Sequence, residues 1–238
     1  MLDLTSCEGG VAHVDEDVAG GSRRPRLRGV PHLVAFFAAL AGWAFLVRVA
    51  PSTRGVVAAS IYGASLVIMF GVSALYHGPT WSPRPRSVLR RLDHAAIFAL
   101  ITGTYAPLCL SIDPRVGSAL LAFVATVAIF GIARVVVFPD APRYVAIPIY
   151  VALGWAISPL VPAVRAAVGP HGVMLLAVGG IAYSAGAVIY YLRRPDPFPE
   201  VFGYQGVFDV LVIAAAGIHY AVIFPIVRGL GAGAPPLP

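Results

Sequence analysis

The sequence predicts an all-α, polytopic membrane protein with seven transmembrane helices, and two observations carry that prediction. Of 238 residues, 58% are hydrophobic and only 12% are charged, giving a mean hydropathy of +0.82. The apolar residues also gather into seven runs, each near the ~20 residues needed to cross a bilayer. A soluble domain of this length has no core large enough to hide so many runs. Lipid is therefore expected to cover much of the surface.

Taken in order, residues 1–30 read as a short, disordered cytoplasmic tail, with Glu8, Asp15, Glu16 and Asp17 followed by Arg23, Arg24, Arg26 and Arg28. The acidic stretch comes first, and no compact apolar segment with a small-residue cleavage site follows it, so this is not a signal peptide. The first run, 31–49, is then its own membrane-targeting signal. The second run, 55–76, ends in the segment SALYH with Ser73 and His77. The third, 94–111, begins beside Asp93, and the fourth spans 116–137. Pro148, Pro159 and Pro162 interrupt the fifth run, 143–163, and Gly179, Gly180 and Gly186 loosen the sixth, 172–192. Membrane helices tolerate both where neighbouring helices satisfy the freed backbone groups. The seventh run, 207–227, carries Ala214, Ala215, Ala216 and Gly217, small residues that let helices approach closely. The seven-helix domain thus covers 31–227 and leaves a short external tail, 228–238.

All 17 basic residues are arginine, so the positive-inside rule can be applied by counting them. Twelve lie in the tail and in the loops after the second, fourth and sixth runs, against five on the opposite side. The amino terminus is expected in the cytoplasm and the carboxyl terminus outside, in a bacterial-type plasma membrane. The basic pI of about 9.7 follows from this topology and from anionic lipid headgroups, so membrane lipids are the expected partners and nucleic acid is not. Cys7 and Cys109 fall on opposite sides of the membrane, and no disulfide joins them.

With this topology the second run ends, and the third and seventh begin, at the cytoplasmic face. Ser73, His77, Asp93, Gln205 and Asp209 then lie at similar depth. Ser73 and His77 are four apart and share a helix face, as do Gln205 and Asp209. His77, Asp93 and Asp209 offer a nitrogen and oxygen donor set suited to zinc with an open position for water. Asp93 equally suits a helix N-terminal cap. Ser73 has no elbow motif around it and is not expected to be a nucleophile.

The segments SALYH, LRRLDHAAIFALITGTYAP, ALGW at 152–155 and GGIAYSAGAVIYYLRRPDPFPEVFGY resemble the haemolysin III branch of the progestin and adipoQ receptor family. The resemblance covers about 31–227. It implies seven transmembrane helices with a cytoplasmic amino terminus, and a buried zinc held by one histidine of helix 2 and two histidines four apart on helix 7, assisted by a serine and an aspartate. Ser73, His77 and Asp93 match that pattern. Gln205 and Asp209 stand where the helix 7 histidines are expected. His219, ten residues past Asp209, is about 15 Å further along the helix and is expected to hydrogen-bond within the bundle.

Two readings follow. In one, Asp209 replaces a histidine ligand, and zinc activates water for hydrolysis of a lipid amide or ester, with Asp93 accepting the proton and Ser73 orienting a ligand or the substrate carbonyl. In the other, which the loss of two imidazoles favours, the metal is gone and Asp209 pairs with His77. The bundle then serves as a cytolytic, sensing or scaffolding membrane protein.

Overall fold

The computed structural model describes residues 29–138, 143–197 and 203–231. The tail readings for 1–28 and 232–238 lie outside the described residues. Among the described residues the secondary structure is helical throughout: α1 (Val30–Val49), α2 (Thr53–His77), α3 (Pro83–Ser111), α4 (Pro114–Val137), α5 (Arg143–Gly154), α6 (Val161–Leu192) and α7 (Tyr204–Gly229). Among the described residues six segments are long and apolar enough to cross a membrane, one of them the 48-residue stretch Val145–Leu192.

The ends follow local chemistry. Ser52 caps α2, its side chain accepting from Gly55 N–H at 3.1 Å, and Asp113 caps α4, accepting from Arg115 and Val116 N–H at 3.0 and 3.2 Å. The largest shifts from the expected boundaries are at the starts of α3 and α6, which begin eleven residues before 94 and 172. Ser82 is extended and Pro83 opens the helix, where a fixed φ and a missing N–H cost nothing. Asp93 is therefore well inside α3, and the cap reading for it is corrected.

Antiparallel packing of α1 on α2, α2 on α3, α3 on α4 and α6 on α7 dominates, and α1 also meets α7. α1, α2, α3, α6 and α7 share a core that includes Leu46, Tyr62, Phe70, Ile223 and Val227, while α4 packs on α3 through a second cluster that includes Phe98 and Val124. The outer faces stay apolar, with Phe130 71% and Val34 66% exposed. Large exposed apolar patches need a non-aqueous covering, as membrane-spanning helices do.

Between α4 and α7 the chain runs out and back. Tyr150 donates to the His94 carbonyl at 3.1 Å, near Asp93. Further on, the Tyr105 hydroxyl reaches the Leu153 and Gly154 carbonyls at 2.9 and 3.0 Å and accepts from Ile157 N–H at 3.0 Å. A turn and a 3-10 segment, Ser158–Leu160, follow. Within α6, Gly169 adopts φ 70 immediately before Pro170, a left-handed kink that glycine accommodates. From there Gly172, Gly179 and Gly186 face Val222, His219 and Phe208 in turn, so this part of α6 runs antiparallel to α7. His219 meets the expectation of a bond inside the bundle, with Nε2 3.2 Å from the Leu176 carbonyl. Trp155 packs on Gly180 and donates to Ser184 at 3.0 Å. Cys109 is a buried free thiol.

The Tyr105 contacts hold the broken end of α5, where helical bonding stops. Tyr105→Phe leaves Ile157 N–H without an acceptor, and an orphaned buried amide costs about 1–3 kcal/mol. A lowered unfolding temperature in detergent, together with faster proteolysis within 154–160, is the expected result.

Candidate functional site at one end of the bundle

Five buried polar side chains meet at the end of the bundle where α2 stops and α1, α3 and α7 begin. Ser73, His77, Asp93 and Asp209 are all buried, and the fifth is His32. The first four were legible in the sequence. His32 was not.

Each is positioned by its helix. Gly29 precedes α1 in the left-handed region, φ 83, and Pro31 follows, so His32 lies in the first turn and points inward at 1% exposure. Ser73 and His77 are one turn apart at the end of α2. Asp93 sits one third of the way along α3. On α7, Gln205 lies one turn before Asp209, and its Nε2 donates to Asp209 Oδ1 at 3.0 Å.

These groups form two linked pairs. The Ser73 hydroxyl donates to Asp93 Oδ1, and His77 Nε2 is 3.9 Å from Asp93 Oδ2. His32 Nε2 is 3.1 Å from Asp209 Oδ1. The imidazoles of His32 and His77 stack across the pairs, centroids 6.0 Å apart and planes 19° from parallel, while Phe70 and Tyr76 flank them. Asp209 therefore faces His32, and the pairing of Asp209 with His77 expected from the sequence is corrected. The cause is α1, whose first turn wedges between α2 and α7.

Buried carboxylates demand such partners, since an unpaired buried charge is costly. Asp209 Oδ1 is approached by two nitrogens, from His32 and Gln205, and Asp93 by the Ser73 hydroxyl and His77. His32 Nδ1 is buried without a hydrogen-bond partner. Zinc needs three or four nitrogen, sulfur or oxygen donors aimed at one point. Among the described residues no three histidine, cysteine, aspartate or glutamate side chains are grouped to hold a metal ion, and glutamine is a poor donor. The side chains present do not fit the zinc set implied by the resemblance.

Comparison with known proteins agrees with this architecture. A family model described as "Haemolysin-III related" matches residues 21–220. The chain is 29% identical over 178 residues to a Hemolysin-3 homolog of Bacillus subtilis (strain 168), covering 74% of this chain and 81% of that protein. It is 35% identical over 148 residues to Hemolysin-3 of Bacillus cereus, covering 62% and 67%. A human protein, Monocyte to macrophage differentiation factor, is 26% identical over 201 residues, covering 81% and 80%. With most of its length matched, and with SALYH and the α3 segment in their expected places, the chain belongs to the haemolysin III branch of the progestin and adipoQ receptor family.

Proposed function

We propose that this is a non-hydrolytic haemolysin III-type protein of a bacterial-type plasma membrane. In this reading it is a seven-pass scaffold or sensor, amino terminus cytoplasmic, whose inner-end histidines and aspartates clasp four helices in place of a zinc centre. The observation that carries it is the engagement of Asp209. At a position where the family pattern places a histidine ligand, its Oδ1 faces both His32 and Gln205. The topology is supported by the arginine bias and by the out-and-back course between α4 and α7, which lets α7 start at the same end as α1. A lytic effect, which the name of the Bacillus cereus relative suggests for that protein, would come from the embedded bundle acting on its own bilayer. The hydrolytic reading requires a bound metal to activate water.

Metal content separates the two. The full-length protein, solubilised in detergent and purified without chelators, is expected to carry far less than about one zinc per chain. It is also expected to release no more fatty acid from a fluorescent lipid amide than His77→Ala does. Stoichiometric zinc that is lost in both His77→Ala and Asp209→Ala would overturn the proposal and restore the hydrolase.

A further inference from the structure

The first turns of α3 project past the polar cluster. Asp93 accepts from Ser73, so Arg84, nine residues earlier in the same helix, stands roughly 13 Å further out at 1.5 Å per residue. Arg84, Ser87, Val88 and Arg91 follow the i, i+3, i+4, i+7 spacing and share one helix face. Val88 on that face is 54% exposed, and Leu92 beside it 48%. The face therefore looks away from the bundle and carries apolar and cationic side chains together, as a helix does where hydrocarbon gives way to headgroups.

Arg91 is the informative residue. It is half-buried, and its Nε is enclosed without a hydrogen-bond partner. The ion pairs among the described residues are those of His32 and His77, so no carboxylate among them neutralises Arg91. Other arginines find a local partner: Arg54 Nη2 donates to the Leu110 carbonyl at 2.7 Å, and Arg228 lies over the Phe224 ring, 5.7 Å from its centroid. A guanidinium keeps its charge at any physiological pH, and a partly desolvated charge without a counter-ion is costly. The anion has to come from outside the described residues.

We infer that Arg91 and Ser87 hold the phosphate of an anionic phospholipid, with Arg84 one turn further out as a second cation. Side chains on a helix lean toward its N-terminus, so Arg91 covers the turn at Ser87 and brings its guanidinium beside that hydroxyl. Planar guanidinium donors with a neighbouring hydroxyl suit phosphate oxygens. The exposed Val88 and Leu92 set the pair at the hydrocarbon edge, where the acyl chains of the same lipid have apolar surface to lie on and a soluble anion would have to leave water. Arg84, about 10 Å along the helix from Arg91, adds positive charge that favours a headgroup of net negative charge.

The test uses the full-length protein, stripped of lipid in detergent and titrated with phosphatidylglycerol or with phosphatidylcholine, the bound lipids being counted by native mass spectrometry. Phosphatidylglycerol is expected to bind more tightly, and Arg91→Gln to weaken it about tenfold, as for the loss of a hydrogen bond to a charged group. Arg91→Lys keeps the charge without the planar fork and should lose about threefold, and Ser87→Ala a similar factor. Arg194→Gln removes the same charge from an exposed position after α6 and should change binding by less than about twofold, since exposed single charges contribute little. All four substitutions lie outside the core and should leave the unfolding midpoint unchanged. Equal losses in Arg91→Gln and Arg194→Gln would reduce the effect to general surface charge and overturn the proposal, as would unchanged binding in Arg91→Gln. Displacement of the lipid by equimolar inorganic phosphate would also overturn it, by assigning the site to a soluble anion.

Discussion

Asp209→Ala is expected to destabilise the protein by about 3–5 kcal/mol, the cost of breaking a buried pair by removing one partner. The variant strips His32 of the carboxylate 3.1 Å from its Nε2 and leaves Gln205 Nε2 without the acceptor it holds at 3.0 Å. His32 is 1% exposed, so bulk water is held away from the pair. At 2–4 °C per kcal/mol for a chain of this size, the unfolding midpoint in detergent should fall by roughly 10 °C. Asp209→Asn keeps an acceptor oxygen in the same place and should lose only about 1–2 kcal/mol. A midpoint for Asp209→Ala equal to that of the parent would mean that the clasp between α1 and α7 contributes nothing.

Gly29→Ala should be nearly as damaging, for a backbone reason. Gly29 has φ 83, and a Cβ added there would meet Gly78 N at 2.7 Å, an atom of main chain that cannot swing away. A non-glycine residue in the left-handed region costs about 1–2 kcal/mol, and forcing extra volume into a packed contact adds about 1–3. The damage should reach the polar cluster, because Gly29 sets the distance between the first turn of α1 and the end of α2, and with it the stacking of His32 on His77. A double-mutant cycle with His32→Ala checks this. A coupling of at least ~0.5 kcal/mol is expected for residues acting through one contact, and strict additivity would confine the effect of Gly29 to helix entry.

What could be read from the chain and what could not divide along physical lines. Apolar run length located α1, α2, α4 and α7 to within a few residues, because hydrophobic thickness fixes helix length. It misplaced the start of α3, since the arginine-rich turns from Pro83 onward continue the helix beyond the apolar stretch, where polarity and helicity part company. It also missed the break inside the fifth run, where α5 ends at Gly154 and α6 starts at Val161 ahead of the Gly169 kink. Within the site, Ser73 with His77 and Gln205 with Asp209 were visible as four-residue pairs on shared faces. His32 has no such neighbour, with Phe36 one turn on, and only the packing of α1 between α2 and α7 brings it in. Its one available signal was depth: an ionisable side chain in the first turn of a membrane helix, level with His77, is a candidate for function.

The link between His32 and Asp209 also orders the protein's assembly in time. The two residues sit in α1 and α7, the first and last helices among the described residues, so the imidazole enters the membrane long before its carboxylate has been synthesised. Contacts this distant in sequence form late, after the entropy of the intervening chain has been spent. The end of the bundle that carries the cluster closes last, and a nascent chain truncated before α7 would keep α1 unlatched and open to the quality-control machinery that surveys unpaired polar groups in membranes.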